Sequence, residues 1–329
     1  MNENIKAKCD LFVENRNLIH SNFKFDYDTT SVAAALIFTN ADKTADIDKI
    51  KECRQILKKK ASALSSYRNT IELILTSKMS LQDDPEKYID NVIALTNKIR
   101  RSKLLDDSNE IIAAMNVIES GHLDEADAIN EKYQEIMKRM RKEHPILTGS
   151  EDVPFAMMLA LSDKGVDNII TEMEACYSYI KENFKTSKDA IQAMSEVLTL
   201  YDTGVDAKCK KTLDIYNSFK ESGHKYGKYY EFASLGVLTN LNMDTSSLVS
   251  EIGEVAEYLH QHKGFGNWAL GSETRLMFAA MMIAGIYCED NGNLTGPTIG
   301  STIAVIIAEA IALMMLIIMT NNIIIASSN

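Results

Sequence analysis

The chain has 329 residues, of which 46% are hydrophobic and 25% are charged, so its composition is that of a globular protein rather than a disordered one. Its net charge of -11, from 35 basic and 46 acidic residues, disfavours nucleic acid and anionic lipid as overall partners and leaves room only for a local basic patch. Four prolines and fifteen glycines interrupt the chain, which favours long helices and predicts an all-α protein.

The N-terminal segment and the cysteines favour the cytosol. The first ten residues lack the charged-then-apolar layout of a secretory signal. The five cysteines are widely scattered, without a Cys-x-x-Cys pair, which is typical of thiols that act as small buried hydrophobic groups in a reducing compartment. We therefore expect a cytoplasmic protein that holds no metal or cofactor.

The predicted elements begin with a helix over residues 4–22, followed by six helix pairs between Thr29 and His262. Each pair has an apolar inner helix, such as 155–161, and an amphipathic outer helix, such as 129–140. An aspartate recurs between the two helices every 38 to 43 residues. The six aspartates are Asp46, Asp84, Asp124, Asp167, Asp206 and Asp244.

The recurring aspartates are predicted to cap the N-termini of the outer helices. The first turn of a helix leaves backbone N–H groups without partners, and an aspartate side chain can accept from them. The sequence Asp84-Pro85 supports this role, since proline is favoured at the first helical position. A shared metal site is a poorer interpretation, because packed helices lie about 8 to 10 Å apart whereas calcium ligands lie at about 2.3 to 2.6 Å.

A seventh inner helix is predicted near residues 272–287, and an unusually apolar segment follows it. Residues 303–319 contain a single charged residue, Glu309. Their length approaches the roughly twenty apolar residues that a membrane span requires. We therefore predict a helical-repeat domain over residues 1–295 and a C-terminal helix over 296–329. That helix is interpreted either as a seventh outer helix, buried or oligomerising, or as a membrane anchor through residues 298–326.

Four aromatic residues near the end of the repeats are candidates for binding a partner. Tyr226, Tyr229 and Tyr230 lie beside two lysines, and tyrosine is enriched at binding surfaces. Trp268, the only tryptophan, lies in a glycine-rich stretch over residues 264–271 that lacks the context of a phosphate loop. For all four residues a structural role is the alternative, and for Trp268 we expect a plug packed against the fold.

Four segments resemble a known bacterial family, the domain of unknown function 4003. They are Phe12-Val-Glu-Asn-Arg-Asn-Leu-Ile19, Phe23-Lys-Phe-Asp26, Ala35-Leu-Ile-Phe-Thr-Asn40 and Leu159-Ala-Leu-Ser-Asp163. The resemblance runs from about residue 10 to residue 290. Because the family is uncharacterised, the resemblance implies no catalytic or binding residue.

The expected fold is an array of about seven tandem helical hairpins, either an open right-handed α-solenoid or a closed α/α toroid. The leading hypothesis for function is a non-enzymatic scaffold whose concave surface binds a protein or peptide, since no complete catalytic constellation is found. A second hypothesis is an enzyme or small-ligand binder with a central pocket. A third is a membrane-tethered scaffold, and the C-terminal helix could also mediate a homo-oligomer. The carboxylates predicted for the central pocket are Glu72, Glu110, Glu231 and Glu273.

Overall fold

A computed structural model describes residues 1–24, 28–69, 71–99, 107–229 and 231–289. Within these ranges the protein is helical and has no β-strand, which confirms the all-α prediction. Short 3₁₀ helices occur at Ser66–Arg68, Leu123–Glu125 and Glu231–Ser234. The α-helices are α1 Glu3–Asn22, α2 Asp28–Asn40, α3 Ile47–Lys60, α4 Glu72–Ser80, α5 Pro85–Ile99, α6 Ser108–Glu119, α7 Ala126–Glu143, α8 Val153–Leu161, α9 Val166–Asn183, α10 Lys188–Thr199, α11 Val205–Glu221, α12 Leu235–Leu238, α13 Thr245–His260 and α14 Ser272–Glu289.

The helices form seven hairpins, each made of an odd-numbered outer helix and the even-numbered inner helix that follows it. Inner helices are apolar on nearly every side; in α8, residues 153–160 are all buried. Outer helices bury one stripe, which in α7 includes Ile129, Tyr133, Ile136 and Met140. An inner helix therefore packs against neighbours all round, whereas an outer helix keeps one face in solvent. The predicted tandem hairpins are confirmed.

The array closes on itself, because the first hairpin packs against the seventh. The Phe12 ring on α1 lies 5.2 Å from the ring of Phe265, which follows α13, and 6.3 Å from that of Phe278 on α14. The Tyr258 hydroxyl on α13 donates to the carboxylate of Asp10 on α1. In the inner layer, α14 packs against α2. Of the two predicted arrangements, the structure has the closed α/α toroid.

The helix α1 occupies the place in the outer layer between α13 and α3. The prediction paired each inner helix with the outer helix after it, and so treated residues 4–22 as a preceding helix. The structure corrects this pairing, because α1 is the outer partner of α2. The seventh outer position is thus filled by the start of the chain, which removes the reason for assigning it to the C-terminus. The predicted C-terminal helix, residues 296–329, lies outside the described residues.

The connections between helices fall on opposite faces of the ring. Connections from an outer to an inner helix define the loop face, where the inner helices begin. Connections from an inner to an outer helix define the turn face. The loop face includes residues 61–69, 144–152, 184–187, 222–229 and 261–271, and the turn face includes 41–46, 81–84, 120–125, 162–165, 200–204 and 239–244.

Three of the six recurring aspartates take the predicted capping position on the turn face. Asp46 accepts from the backbone N–H of Lys49 at 3.0 Å, and Asp84 accepts from that of Lys87 at 2.9 Å. Asp244 accepts from the backbone N–H groups of Ser246 and Ser247 at 3.0 and 2.9 Å. The pKa of its carboxyl is lowered first by the Ser247 side chain and then by these two backbone groups. At these positions an aspartate satisfies backbone groups that the helix leaves without partners.

The prediction is corrected for Asp124, Asp167 and Asp206. Asp124 lies inside the 3₁₀ helix before α7, and the N-cap position of α7 is Glu125. Asp167 and Asp206 lie inside the first turns of α9 and α11, whose N-cap residues are glycines. Asp167 instead forms an ion pair with Arg139 near the end of α7. Negative charge in a first turn still favours the helix dipole, so these aspartates stabilise their helices without capping them.

Lysines of the outer helices bind carbonyl groups at the ends of inner helices, a repeated feature that sequence reasoning missed. Such carbonyls lack intrahelical partners, and a lysine near a helix C-terminus also complements the dipole. Three of these bonds measure 3.2, 3.2 and 2.6 Å: Lys8 to the Thr39 carbonyl, Lys49 to the Gln82 carbonyl and Lys211 to the Leu241 carbonyl. These bonds join the two layers of the ring on its turn face.

Asp46→Ala is expected to lower the free energy of unfolding by about 1 kcal/mol, the usual cost of removing an N-cap aspartate. Asp124→Ala is a matched control, since no capping bond is lost there. Urea denaturation of both variants at pH 7 measures the difference. Equal destabilisation of the two variants would contradict the assigned cap positions.

The described residues contain no helix that is both long and apolar enough to cross a membrane. The five cysteines are buried and free. Burial raises the pKa of the Cys53 thiol to about 11, so that thiol stays protonated near neutral pH.

Candidate functional site

The four carboxylates predicted for a central pocket lie where inner helices begin, but they do not gather at one point. Glu231 is buried, and its pKa is raised by burial and by the nearby charge of Glu273. Glu273 itself forms a 2.6 Å ion pair with Lys225. Glu110 is buried on α6, which packs against α5 and α8 rather than against α12 or α14. Glu72 is partly exposed.

A different pair of carboxyl groups does meet inside the ring. Asp152 precedes α8 and Glu196 lies on α10, and both side chains are buried. The two carboxyls interact with each other and with the amide of Gln192, one turn before Glu196. Asp152 also accepts from the backbone N–H of Gly149 at 2.7 Å. The exposed Glu151 adds a further negative charge beside the pair.

This environment keeps a proton on the pair. Burial raises the pKa of Asp152 to about 6 and holds that of Glu196 well above its ordinary value, and the negative charge of Asp152 raises Glu196 further. Two adjacent carboxyls in a low-dielectric interior cannot both be ionised at low cost, so one of them carries a proton near neutral pH.

The carboxyl pair has no local signature in the sequence. Asp152 and Glu196 come from consecutive hairpins, and each on its own looks like an ordinary acidic residue of a helix. Asp152 lies just before α8, where an acidic residue also favours the helix dipole. Glu196, in contrast, lies within an apolar inner helix among Met194, Val197 and Leu198. The signal available in the sequence was a charged residue at a position that the helical periodicity predicts to be buried.

Two adjoining cavities form a groove on the outer wall between α11 and α13. The larger has a volume of about 400 Å³ and is lined by Ser218, Ser222, His224, Ser246, Val249, Ser250, Gly253, Glu254 and Glu257. The smaller has a volume of about 340 Å³ and is lined by Tyr216, Lys220, Gly223, His224, Lys225, Tyr226 and Lys228. The two cavities adjoin at His224, which lines both. The larger carries Glu254 and Glu257 on its α13 side, and the smaller, which is lined by α11 and the loop after it, carries three lysines.

The groove exists because both helices present small side chains to each other. Ser218 and Ser222 face it from the end of α11, and Ser246, Ser250 and Gly253 form a stripe along α13. The imidazole of His224 lies directly against Gly253, where any side chain would collide with it. Larger residues on these two stripes would fill the space. Sequence reasoning missed this groove, although the spacing of the serines and the glycine on one helical face was visible.

The predicted aromatic cluster is divided between core and surface. Tyr226 is buried and its hydroxyl lies 2.6 Å from that of Ser234, so its role is structural. Tyr229 is 51% exposed, with the Lys228 ammonium 5.6 Å from the centre of its ring. Tyr230 lies outside the described residues. Trp268 is fully exposed, so the expectation that it packs as a plug is wrong.

The residue that closes the fold near Trp268 is Phe265, which is fully buried against Phe12. Arg275 on α14 holds the loop around it. Its guanidinium donates to the Phe265 carbonyl at 2.9 Å and to the side-chain oxygen of Asn267 at 3.0 Å. The loop therefore presents Trp268 to solvent from a fixed backbone rather than from a loose one.

The described histidines do not assemble a metal site. No group of three or more metal-ligating side chains occurs in the described part of the chain. His260, the last residue of α13, and His262, in the turn after it, lie beside different partners. His260 is 3.9 Å from the Glu257 carboxylate, and the centre of the His262 ring lies 4.8 Å from that of Tyr258 in a tilted arrangement.

Comparison with known proteins finds one family and one relative. The model of the family "Protein of unknown function (DUF4003)" matches residues 15–320. An uncharacterized protein from Bacillus subtilis (strain 168), YeaA, is 27% identical over 134 residues, which are 40% of this chain and 38% of that protein. The match thus spans well under half of the relative's length. No solved structure matches the chain.

Proposed function

This chain belongs to the DUF4003 family of proteins of unknown function, and we propose that it is a non-enzymatic interaction scaffold that binds a protein or peptide segment in the groove between α11 and α13. The observation that carries this proposal is the groove made of two adjoining cavities, with His224 in the lining of both. A closed ring has no open concave surface of the kind that a solenoid presents. The proposed binding surface is therefore on the outer wall of the ring rather than on the concave surface that was expected.

The lining of the groove suits a peptide. Four serine hydroxyls and the imidazole of His224 can donate to or accept from a peptide backbone. At one end Glu257 favours a basic side chain, since Glu254 already pairs with the Met1 ammonium group. At the other end Lys220 and Lys228 favour an acidic side chain, since Lys225 pairs with Glu273. Such opposite charges would fix the direction in which a segment lies. We also propose a cytoplasmic location for this scaffold, in keeping with its free, buried cysteines.

The test of this proposal is quantitative affinity capture from the cells that produce the protein. Ser250 is exposed on the groove wall, so Ser250→Leu should block the groove without disturbing the core. Recovery of the partner should fall about tenfold or more, which corresponds to a loss of about 1.4 kcal/mol in binding. A photocrosslinking residue at Ser246 should join to the same partner.

Ser178→Leu is the matched control, because Ser178 is an exposed serine on α9 that does not line the groove. This variant should capture the partner as the unaltered chain does. Equal recovery with Ser250→Leu, or no crosslink from position 246, would contradict the proposal.

A second candidate function is the binding of a small ligand at the centre of the ring, and the Asp152–Glu196 pair is the observation that favours it. A carboxyl pair that shares one proton can act as both acid and base. Both groups are buried, so a ligand would reach them only if the residues that cover them moved. Thermal stabilisation by a small molecule that is lost in Glu196→Gln but kept in Ser250→Leu would favour this second function.

A further inference from the structure

The large apolar side chains that the described residues leave exposed are concentrated on the loop face. Apart from Met1, they are Leu64 (87% exposed), Ile146 (96%), Tyr229 (51%) and Trp268 (fully exposed). Each lies in a different outer-to-inner loop, in the second, fourth, sixth and seventh hairpins. No member of this set lies on the turn face. Single exposed apolar residues are ordinary on a protein surface, but four loop tips on one face of a ring form a pattern.

Exposed cations that form no ion pair with a described residue accompany each tip. Lys58 and Lys59 precede the loop of Leu64, and Arg141 and Lys142 precede that of Ile146. Lys228 adjoins Tyr229, and Lys263 lies five residues before Trp268. Basic residues are favoured near helix C-termini, and the outer helices all run toward the loop face. Glu143 and Glu151 are the exposed acidic residues nearest to Ile146.

The turn face has the opposite character. The outer helices begin there, with acidic first turns that contain Asp48, Glu86, Asp127, Asp167 and Asp206. The net charge of -11 therefore conceals an uneven distribution between the two faces. Salt screens charges that are more than about 10 Å away. A target near the loop face would therefore interact with the positive charge of that face rather than with the negative net charge of the whole chain.

From this distribution we infer that the loop face docks on an anionic lipid bilayer. Four apolar loop tips that are spread around one face of a ring contact a flat surface, such as a bilayer, more readily than they contact one compact protein epitope. Tryptophan, tyrosine and aliphatic tips suit the boundary between headgroups and acyl chains, and flanking lysine and arginine suit anionic headgroups. This inference goes beyond the proposed function, because the groove between α11 and α13 lies on the outer wall and remains available to a peptide.

Trp268 makes the inference directly measurable, because it is the only tryptophan in the chain. The full chain is mixed with phosphatidylcholine vesicles that contain about one third phosphatidylserine, and in parallel with phosphatidylcholine vesicles alone. We expect a blue shift of the Trp268 emission and co-sedimentation with the anionic vesicles only. Both signals should weaken as the salt concentration is raised toward about 0.5 M.

Two charge-reversal variants separate the loop face from overall charge. Lys58→Glu/Lys59→Glu should lower binding to anionic vesicles about tenfold. Lys43→Glu/Lys87→Glu changes the net charge equally but alters exposed lysines of the turn face, and it should bind nearly as the unaltered chain does. In addition, Ile146→Ser should weaken binding severalfold while its Trp268 emission in buffer stays unchanged, because the two residues lie on different loops.

Equal binding to neutral and anionic vesicles, or equal effects of the two charge reversals, would overturn the inference. So would the absence of any vesicle binding. If loop-face variants fail to capture a protein partner yet bind vesicles normally, the loop face is a protein-binding surface and the inference is likewise wrong. None of these results depends on Ser250, so the groove proposal stands or falls separately.

Discussion

Glu196→Gln is expected to stabilise the protein at pH 7. In the unaltered chain Glu196 must take up a proton on folding, because its pKa is raised well above its ordinary value by burial and by Asp152. Each such proton costs about 1.4 kcal/mol per pH unit above the pKa of the unfolded state. Glutamine has the shape of the protonated glutamate and needs no proton, and its amide can donate to Asp152.

The same reasoning gives the sign of the pH dependence in the unaltered chain. The pKa of Asp152 rises on folding from its ordinary 3.8 to about 6, so the stability present at low pH is lost as the pH rises through this window. The shift corresponds to about 3 kcal/mol from this carboxyl alone. Glu196 changes stability in the same direction and continues to do so at higher pH.

Urea denaturation at several values between pH 4 and 8 measures both effects. The unaltered chain should lose stability with rising pH, and Glu196→Gln should flatten the dependence. Glu151→Gln, at the exposed neighbour, should leave the slope nearly unchanged. A stability that is constant over this range, or a glutamine variant that is less stable at pH 7, would show that the two carboxyls do not share a proton.

Phe12→Ala is expected to lower the free energy of unfolding by about 3 to 5 kcal/mol, the usual cost of removing a buried phenylalanine ring. Phe12 is fully buried and contacts the rings of Phe265 and Phe278 from the seventh hairpin. The cavity would form at the junction where the ring closes. Hydrogen exchange should therefore accelerate over residues 261–271 as well as over α1.

Leu64→Ala provides the comparison for Phe12→Ala, since Leu64 is 87% exposed and should change stability by no more than about 0.5 kcal/mol. If Phe12→Ala left hydrogen exchange in the seventh hairpin unchanged, the first and seventh hairpins would not share a core. Denaturation and exchange measured on the same samples distinguish a local loss from a loss at the junction.

The hairpins were predictable from the sequence because each depends on a local pattern. Apolar residues at every third or fourth position mark the helices, and small residues mark the inner layer.

The capping of the outer helices was predictable only in part. Asp46 and Asp244 lie directly before their helices, whereas Asp167 and Asp206 are the second residues of theirs, two positions after the glycines that take the N-cap positions. A shift of two residues is below what a repeat period can resolve.

Closure of the ring and the exposure of Trp268 were not predictable in the same way. Closure depends on small rotations summed over seven hairpins, and it brings Phe12 to Phe265 across most of the chain. The choice between Phe265 and Trp268 as the buried ring depends on how Arg275 anchors the loop. The Asp152–Glu196 pair likewise arises from the packing of two consecutive inner helices, which no single segment encodes.

The most direct test of the closed ring is a crosslink between α1 and α13. Asp10 and Tyr258 are hydrogen-bonded neighbours in the ring but would lie at opposite ends of an open solenoid. In Asp10→Cys/Tyr258→Cys, a short bis-maleimide should join the two residues within one chain, and the buried native cysteines should not compete. The control pair Asp10→Cys/Glu131→Cys, with Glu131 exposed on α7, should not crosslink. An intramolecular crosslink in the first pair alone is the predicted result, and its absence would contradict the closed toroid.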